Sequence, residues 1–286
     1  MSPDISPFVV SFDWLEQRLS QPGLRIVDAS WYLPAQNRDA KSEFAAARIP
    51  GAVHFDIDTI ADGSSGLPHT LPSAEVFSAS VGAMGISETD TIIIYDGLGM
   101  FSAPRVWWMF RIFGAKNCFV LDGGFDQWKA EGRPVETSEI SEVKPVMFKP
   151  KFNHLAVTDF NEMMQIVETG DIQIADARGA GRFEGRDPEP RAGMRSGHMP
   201  GAVNVPYSAL STNGRLKPLS DLKRVFEAAG VDLAKPVVTS CGSGVTAAVI
   251  TLALQSLGHR HNMLYDGSWS EWGGKADTPV VTGQAE

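Results

Sequence analysis

The sequence predicts a tandem α/β protein: two copies of one domain, each a mainly parallel sheet flanked by helices. Three observations predict it. The 286-residue chain is written twice. In both halves short apolar, β-rich runs alternate with amphipathic stretches, the pattern of α/β domains. A stretch with Pro145, Pro150 and interspersed Lys and Glu separates the halves and lacks helical periodicity. The repeat is explicit. Ile26-Val27-Asp28-Ala29-Ser30 returns as Ile174-Ala175-Asp176-Ala177-Arg178, and Arg48-Ile49-Pro50-Gly51-Ala52-Val53 as His198-Met199-Pro200-Gly201-Ala202-Val203. Ile93-Ile94-Tyr95-Asp96-Gly97 returns as Val238-Thr239-Ser240-Cys241-Gly242. Asp122-Gly123-Gly124-Phe125 with Trp128 returns as Asp266-Gly267-Ser268-Trp269 with Trp272. Four motifs in one order, offset by about 144 to 150 positions, mark a duplication.

In the first half the short apolar runs predict strands at 25–29, 52–55, 91–95 and 118–121. The longer amphipathic stretches predict helices at 13–20, 74–84, 103–113 and 125–131. Their counterparts are strands at 172–177, 202–205, 237–240 and 262–265, and helices at 159–169, 220–229, 245–257 and 268–272. The expected division is a first domain over 1–136, a linker over 137–157 and a second domain over 158–286. The length fits two domains at roughly 100–200 residues each.

Composition narrows the function classes. Hydrophobic residues make up 43% and charged residues 21%, which excludes a disordered, collagenous or coiled-coil chain. Lys+Arg number 25 against Asp+Glu 34, a net charge of −9, so neither nucleic acid nor an anionic membrane is an expected partner. No apolar run approaches the ~18 residues of a membrane span. The nearest, 236–254, carries Thr239, Ser240, Ser243, Gly244 and Thr246. The opening MSPDISPFVV has neither a basic n-region nor an Arg-rich amphipathic pattern. Two cysteines cannot form a disulfide framework and suit a reducing compartment, so the cytoplasm is the expected address.

Chemistry appears where the copies differ. After the third strand the first half has Asp96-Gly97-Leu98-Gly99-Met100-Phe101, and the second has Cys241-Gly242-Ser243-Gly244-Val245-Thr246. In open α/β sheets ligands bind outside the carboxyl ends of the strands. The glycines let successive N–H groups converge as an anion-binding nest, and a helix expected to start near Val245 adds positive potential. Both favour thiolate over thiol at Cys241. Asp96 cannot carry sulfur, so the first half reads as a non-catalytic copy that supports and partly walls the site. Cys118, in an apolar strand without such a loop, reads as a core cysteine. Phosphate-ester hydrolysis needs an Arg six positions after the cysteine, where this chain has Ala247, so a phosphatase is disfavoured. A cradle of amides without that Arg suits a persulfide.

From 11 to 279 the chain resembles the two-domain rhodanese superfamily. The resemblance is carried by the loop Cys241 to Thr246, by Gly181-Arg182-Phe183-Glu184-Gly185 with Pro188-Glu189-Pro190-Arg191, and by Gly197-His198-Met199-Pro200-Gly201. Thiosulfate-using members have basic residues where this chain has Gly242 and Ser243, because their donor is a dianion. The uncharged pair is similar to the mercaptopyruvate-using branch.

The resemblance implies tandem domains with the loop in the cleft between them and a persulfide on Cys241. It assigns Arg182 and Arg191 to the donor's carboxylate and carbonyl, and Ser243, His69 and Asp58 to a relay. Gly242, Gly244, Val245 and Thr246 complete the amide cradle. It implies 3-mercaptopyruvate as donor, and thioredoxin, a small thiol or cyanide as acceptor. The residues alone do not choose among Arg178, Arg182, Arg186, Arg191 and Arg195, which crowd one Gly/Pro-rich segment read as a loop. Nor do they link His69 to Asp58, 11 positions earlier. A thiosulfate:cyanide sulfurtransferase and a non-catalytic sulfur-binding module remain as alternatives. His259 and His261 have no Cys/His cluster around them and read as a surface pair rather than a metal site. No nucleotide-binding glycine fingerprint is present, so no cofactor is expected, and a monomer is. The Trp107-Trp108 pair reads as core or inter-domain packing.

Overall fold

A computed structural model describes residues 4–139 and 142–285. Residues 1–3 and 286, at the outer ends of the two expected domains, and residues 140 and 141 of the expected linker lie outside the described residues. The first half runs β1 (Val9–Val10), α1 (Phe12–Glu16), β2 (Leu24–Asp28), α2 (Ala40–Ala46), β3 (Ala52–His54), α3 (Ala74–Ala83), β4 (Thr91–Tyr95), α4 (Ala103–Ile112), β5 (Cys118–Leu121) and α5 (Gly124–Ala130). The second runs β6 (Val157–Thr158), α6 (Phe160–Thr169), β7 (Gln173–Asp176), α7 (Ala180–Phe183), β8 (Ala202–Asn204), β9 (Ser211–Thr212), β10 (Arg215–Leu216), α8 (Leu219–Ala228), β11 (Val237–Ser240), α9 (Ala247–Ser256), β12 (Asn262–Tyr265) and α10 (Ser268–Trp272). The sheet orders are β1-β5-β4-β2-β3 and β6-β12-β11-β7-β8, and every pairing in both is parallel. The α/β class and its duplication therefore hold.

Local chemistry explains the ends of the elements. Asp159 and Glu162 form a capping box on α6, and Gly170 closes it at φ 68°. The helix α8 starts after Pro218 without a side-chain cap of its own. Asp4, at the far end of the chain, accepts the Ser220 N–H at 2.8 Å and caps it from the other domain. Three expectations need correction. The helix expected over 13–20 stops at Glu16, because Arg18 and Gln21 donate to residues only three back ahead of Pro22-Gly23. The helix expected from Val245 starts at Ala247, since Gly244 at φ 79° holds the preceding residues in a loop. The stretch read as loop over 179–193 contains α7, where Arg182 lies. The strands β1 and β6 and the β9–β10 hairpin, two residues per strand, are too short to show a period.

The halves join through a shared core. The helices α4 and α9 pack on each other, and one apolar cluster includes Val106, Trp107 and Phe110 together with Ile250, Leu252 and Leu254. Trp107 and Trp108 are buried in it, as expected. A pseudo-twofold relation is visible in the polar contacts. Asp266 accepts the Leu71 N–H at 2.7 Å from the first domain, and Asp122 accepts the Leu216 N–H at 2.8 Å from the second. Residues 142–153 cross the first domain, with the Val146 N–H on Gly82 O at 2.9 Å and Phe148 against Phe77 at 5.5 Å. Gly82 permits that approach, for a Cβ there would lie 2.5 Å from Val146 O.

One difference in buried charge between the copies lies at β2 and β7. In β7, Asp176 is paired with Arg178, whose Nη2 lies 2.7 Å away. In β2, Asp28 has Ser30 instead of the arginine, keeps a 2.8 Å bond from the Ser30 N–H, and is 2% exposed. Burial without a cation pushes its carboxyl up to about 6 from 3.8. Folding therefore favours the protonated form. The penalty for ionising Asp28 is absent below about pH 4, grows between 4 and 6, and is complete above 6, to an upper bound of ~3 kcal/mol. Asp28→Asn keeps the acceptor and removes the charge. Urea unfolding should show the variant more stable than the parent at pH 7, with the gain shrinking towards pH 4; a pH-independent gain would mean the carboxylate charge is not its cause.

Candidate active site

Cys241 follows β11 at the carboxyl end of its sheet and is 1% exposed. Helix α10 shapes the loop that Cys241 opens. Its Trp269 N–H donates to Cys241 O at 2.9 Å and its Ser270 N–H to Gly242 O at 2.8 Å, while the Cys241 N–H goes to Ser268 Oγ at 3.2 Å. The N–H groups of residues 242–247 find no acceptor among the described residues. They are the unspent donors of the cradle, at the mouth of α9.

The first domain shows what such a loop binds. The Asp96 carboxylate accepts from the N–H groups of Gly99, Phe101 at 3.0 Å, Ser102 at 2.8 Å and Ala103 at 2.7 Å. Burial raises its pKa and these four donors oppose the rise. A carboxyl group of the chain's own thus takes the donors of the first cradle, whereas in the second a cysteine stands at the matching place. Cys118 is buried in β5, its thiol 3.9 Å from Trp107 O, and burial holds its pKa above the usual thiol range. It is a core residue, as read from the sequence.

The cover over the cysteine loop comes from the other domain. His69 Nδ1 lies 2.9 Å from Ser243 Oγ, 174 positions away, and His69 Nε2 lies 2.8 Å from Asp58 Oδ1. The structure thus brings together three residues that no spacing linked. The Asp58 pKa is lowered, chiefly by the His69 hydrogen bond. An ionised Asp58 holds the ring proton on Nε2, leaving Nδ1 to accept from the serine hydroxyl. Trp31 Nε1 donates to Asp58 Oδ2 at 3.1 Å, and the Trp31 ring meets the His69 ring edge-on at 4.8 Å. Asp58 itself reaches solvent, its side chain 59% exposed, so the hydrogen-bonded chain Ser243-His69-Asp58 runs from the cysteine loop to the surface.

The structure also sorts the five arginines. Arg178 is buried against Asp176 and Glu189. Arg186 pairs outward with Glu184, and Arg195 ties down backbone carbonyls including Thr278 O at 2.8 Å. Arg182 and Arg191 remain over the loop: a Cβ on Gly242 would lie 3.2 Å from Arg182 Nη2 and 3.9 Å from Arg191 Nη1. The two are not equivalent. Arg182 is held through Nε and Nη2 by Glu189, which is 3% exposed. Arg191 has no hydrogen-bond partner among the described residues, is half-buried, and its pKa is lowered by that burial. A cavity of about 80 Å³ is lined by Trp31 and Phe101 of the first domain and by Arg182, Arg191, Tyr207 and Cys241 of the second. Sequence reasoning missed Glu189, Trp31, Phe101, Tyr207, Asp266 and Arg105. Glu189 lay inside a quoted motif, and Asp266 in a repeated one; nothing in the sequence marks Arg105.

The chain is similar to known proteins over nearly its full length. Residues 11–131 and 159–275 each match the Rhodanese-like domain model. A thiosulfate/3-mercaptopyruvate sulfurtransferase of Arabidopsis thaliana is 41% identical, covering 95% of this chain and 77% of that protein. The 3-mercaptopyruvate sulfurtransferase of Rattus norvegicus is 40% identical, covering 99% and 97%. The solved structure of SseA from Escherichia coli superposes with a TM-score of 0.84 at 39% identity, covering 92% of this chain and 98% of that one. With both domains matched and this identity over nearly its full length, the chain belongs to the 3-mercaptopyruvate sulfurtransferase family of tandem rhodanese-like proteins.

Proposed function

We propose that this sulfurtransferase takes sulfur from 3-mercaptopyruvate onto Cys241, releases pyruvate, and passes the sulfur to a thiol or cyanide. The observation that carries the reading is the run of N–H groups after Cys241 that have no acceptor among the described residues, in a loop whose counterpart gives its N–H groups to a carboxylate. An anion is what such a loop stabilises, and a persulfide is one. The donor's carboxylate and keto oxygen lie in one plane, which suits the guanidinium forks of Arg182 and Arg191. Arg182, steadied by Glu189, supplies a fixed fork; Arg191 supplies the donors without internal partners.

The Cys241 thiolate attacks the donor sulfur, an S–S bond forms, and the C–S electrons leave as pyruvate enolate. The arginines bind that enolate more tightly than the ketone, which is transition-state stabilisation. Ser243 delivers the proton that turns enolate into pyruvate and is resupplied through His69. An acceptor thiolate, on a small thiol or on a protein such as thioredoxin, or cyanide, then takes the terminal sulfur and returns Cys241 as thiolate. Two free cysteines suit a reducing compartment such as the cytoplasm, and each half finds its partner within the chain, which suits a monomer. No helix among the described residues is long and apolar enough to cross a membrane.

Three measurements test this. Cys241→Ser should bind donor and release no pyruvate above background; appreciable release would sink the mechanism. Arg191→Ala should lower kcat/KM for mercaptopyruvate by roughly 2–4 kcal/mol in transition-state terms, the cost of leaving a desolvated carboxylate unpaired. An unchanged value would remove Arg191 from the site. With cyanide as acceptor, kcat/KM for mercaptopyruvate should exceed that for thiosulfate, since Gly242 and Ser243 bring no charge to a dianion. The reverse order would leave Cys241 its role and overturn the donor.

A further inference from the structure

We infer that Arg105, contributed by the domain that lacks the cysteine, is a positioning residue that holds His69 in register with Ser243. The inference rests on the sulfur-transfer reading above and names a part of the machinery that reading does not use.

Arg105 is the third residue of α4 and is 0% exposed. Its Nη2 donates to His69 O at 2.6 Å and to Asp266 Oδ1 at 2.7 Å, and its Nη1 to Gly244 O at 3.4 Å. One side chain therefore binds the segment carrying the relay histidine, the cysteine loop and the Asp-Gly turn behind that loop. Two of its three acceptors belong to residues of positive φ, His69 at 61° and Gly244 at 79°. For a histidine that conformation is strained and persists only when neighbours hold it. Gly244 also leaves room, because a Cβ there would lie 3.0 Å from Nη1. With the His69 carbonyl pinned, the ring is aimed at Ser243 before any donor arrives.

The duplication supplies an internal control. The Leu71 N–H on Asp266 and the Leu216 N–H on Asp122 are pseudo-equivalent ties across the seam. Over the Asp96 loop, the place of His69 is taken by Gly214, at φ 70°, whose carbonyl accepts the Gly123 N–H at 3.1 Å. On that side the third residue of α9 is Val249, and the guanidinium that crosses is that of Arg215 in β10, which donates to Asp122 O and Glu131 Oε1 at 3.1 Å each and not to the Asp96 loop. Joining the domains therefore does not require a guanidinium on the loop itself. The half with the cysteine has it, and there its buried Nε lacks a partner, a cost an apolar side chain of similar volume would avoid.

The test uses the full chain with Arg105→Met and Arg105→Lys, each alone and combined with Ser243→Ala. Pyruvate release from 3-mercaptopyruvate is measured alongside circular dichroism and thermal unfolding. Arg105→Met should lower kcat about 10- to 100-fold, as for loss of a positioned proton donor, with the donor KM within about 3-fold because Arg182 and Arg191 are untouched. Arg105→Lys, with one cationic head for three acceptors, should recover part of the loss. In the Ser243→Ala background either substitution should lower kcat by less than about 2-fold, since the relay is already cut. A folded Arg105→Met with parental kcat, a loss confined to KM, or losses that multiply in the double variant would each overturn the assignment. Parental kcat in Ser243→Ala would do so as well. Should Arg105→Met fail to fold, the lysine variant in the two backgrounds decides by the same non-additivity. Pyruvate release by Cys241→Ser would instead break the sulfur-transfer reading.

Discussion

Everything at this site depends on two copies of one domain being pressed together through α4 and α9. The helix α9, Ala-Ala-Val-Ile-Thr-Leu-Ala-Leu-Gln-Ser, is apolar nearly all round, and only Gln255 of its residues is not buried. Such a helix needs neighbours on every side. Its own sheet covers one face and α4 of the other domain covers another, so exposing the seam would return large apolar side chains to water. That constraint brings a histidine at position 69 within 2.9 Å of a serine at 243. Neither domain contains the site; the interface does.

The two cradles show how one backbone serves two purposes. In the first domain the Asp96 carboxylate satisfies four N–H groups at the start of a helix and closes the loop for good. In the second, a thiol stands at the matching place and the N–H groups of residues 242–247 have no acceptor among the described residues. The difference is one of reach, since a carboxylate can bend back onto its own loop while a cysteine is too short to fill it. The first half contributes the cover over the cysteine loop of the second, through His69, Asp58 and Trp31.

Charge is distributed with the same division of labour. Arg178, Asp176 and Glu189 form a buried network that spends its donors on structure, and Glu189 then steadies Arg182. Arg191 has no such partner among the described residues and keeps its hydrogen-bonding capacity. A fixed guanidinium next to an uncommitted one can orient a planar carboxylate and still adapt as a second negative charge develops on a neighbouring keto oxygen.

Much of this was legible in the sequence. The duplication, the eight core strands and Cys241 could be read there because periodicity, motif offset and a glycine-rich loop are local properties of a chain. The absence of an arginine at 247 likewise spoke against phosphate chemistry. His69 and Asp58 entered only through a family resemblance, and Arg105 did not enter at all. Their partners lie 174 positions away for His69 and 161 for Arg105, distances over which no period or spacing carries information. The sequence by itself determined which atom can carry sulfur and which loop cradles it. Only the tertiary structure decided which of five arginines face that atom and which residues of the other domain aim at it. The arginines are sorted by Asp176, Glu184, Glu189 and Thr278 of their own domain, and the residues of the other domain are placed by the packing of α4 on α9. Both are contacts between surfaces that meet only after folding.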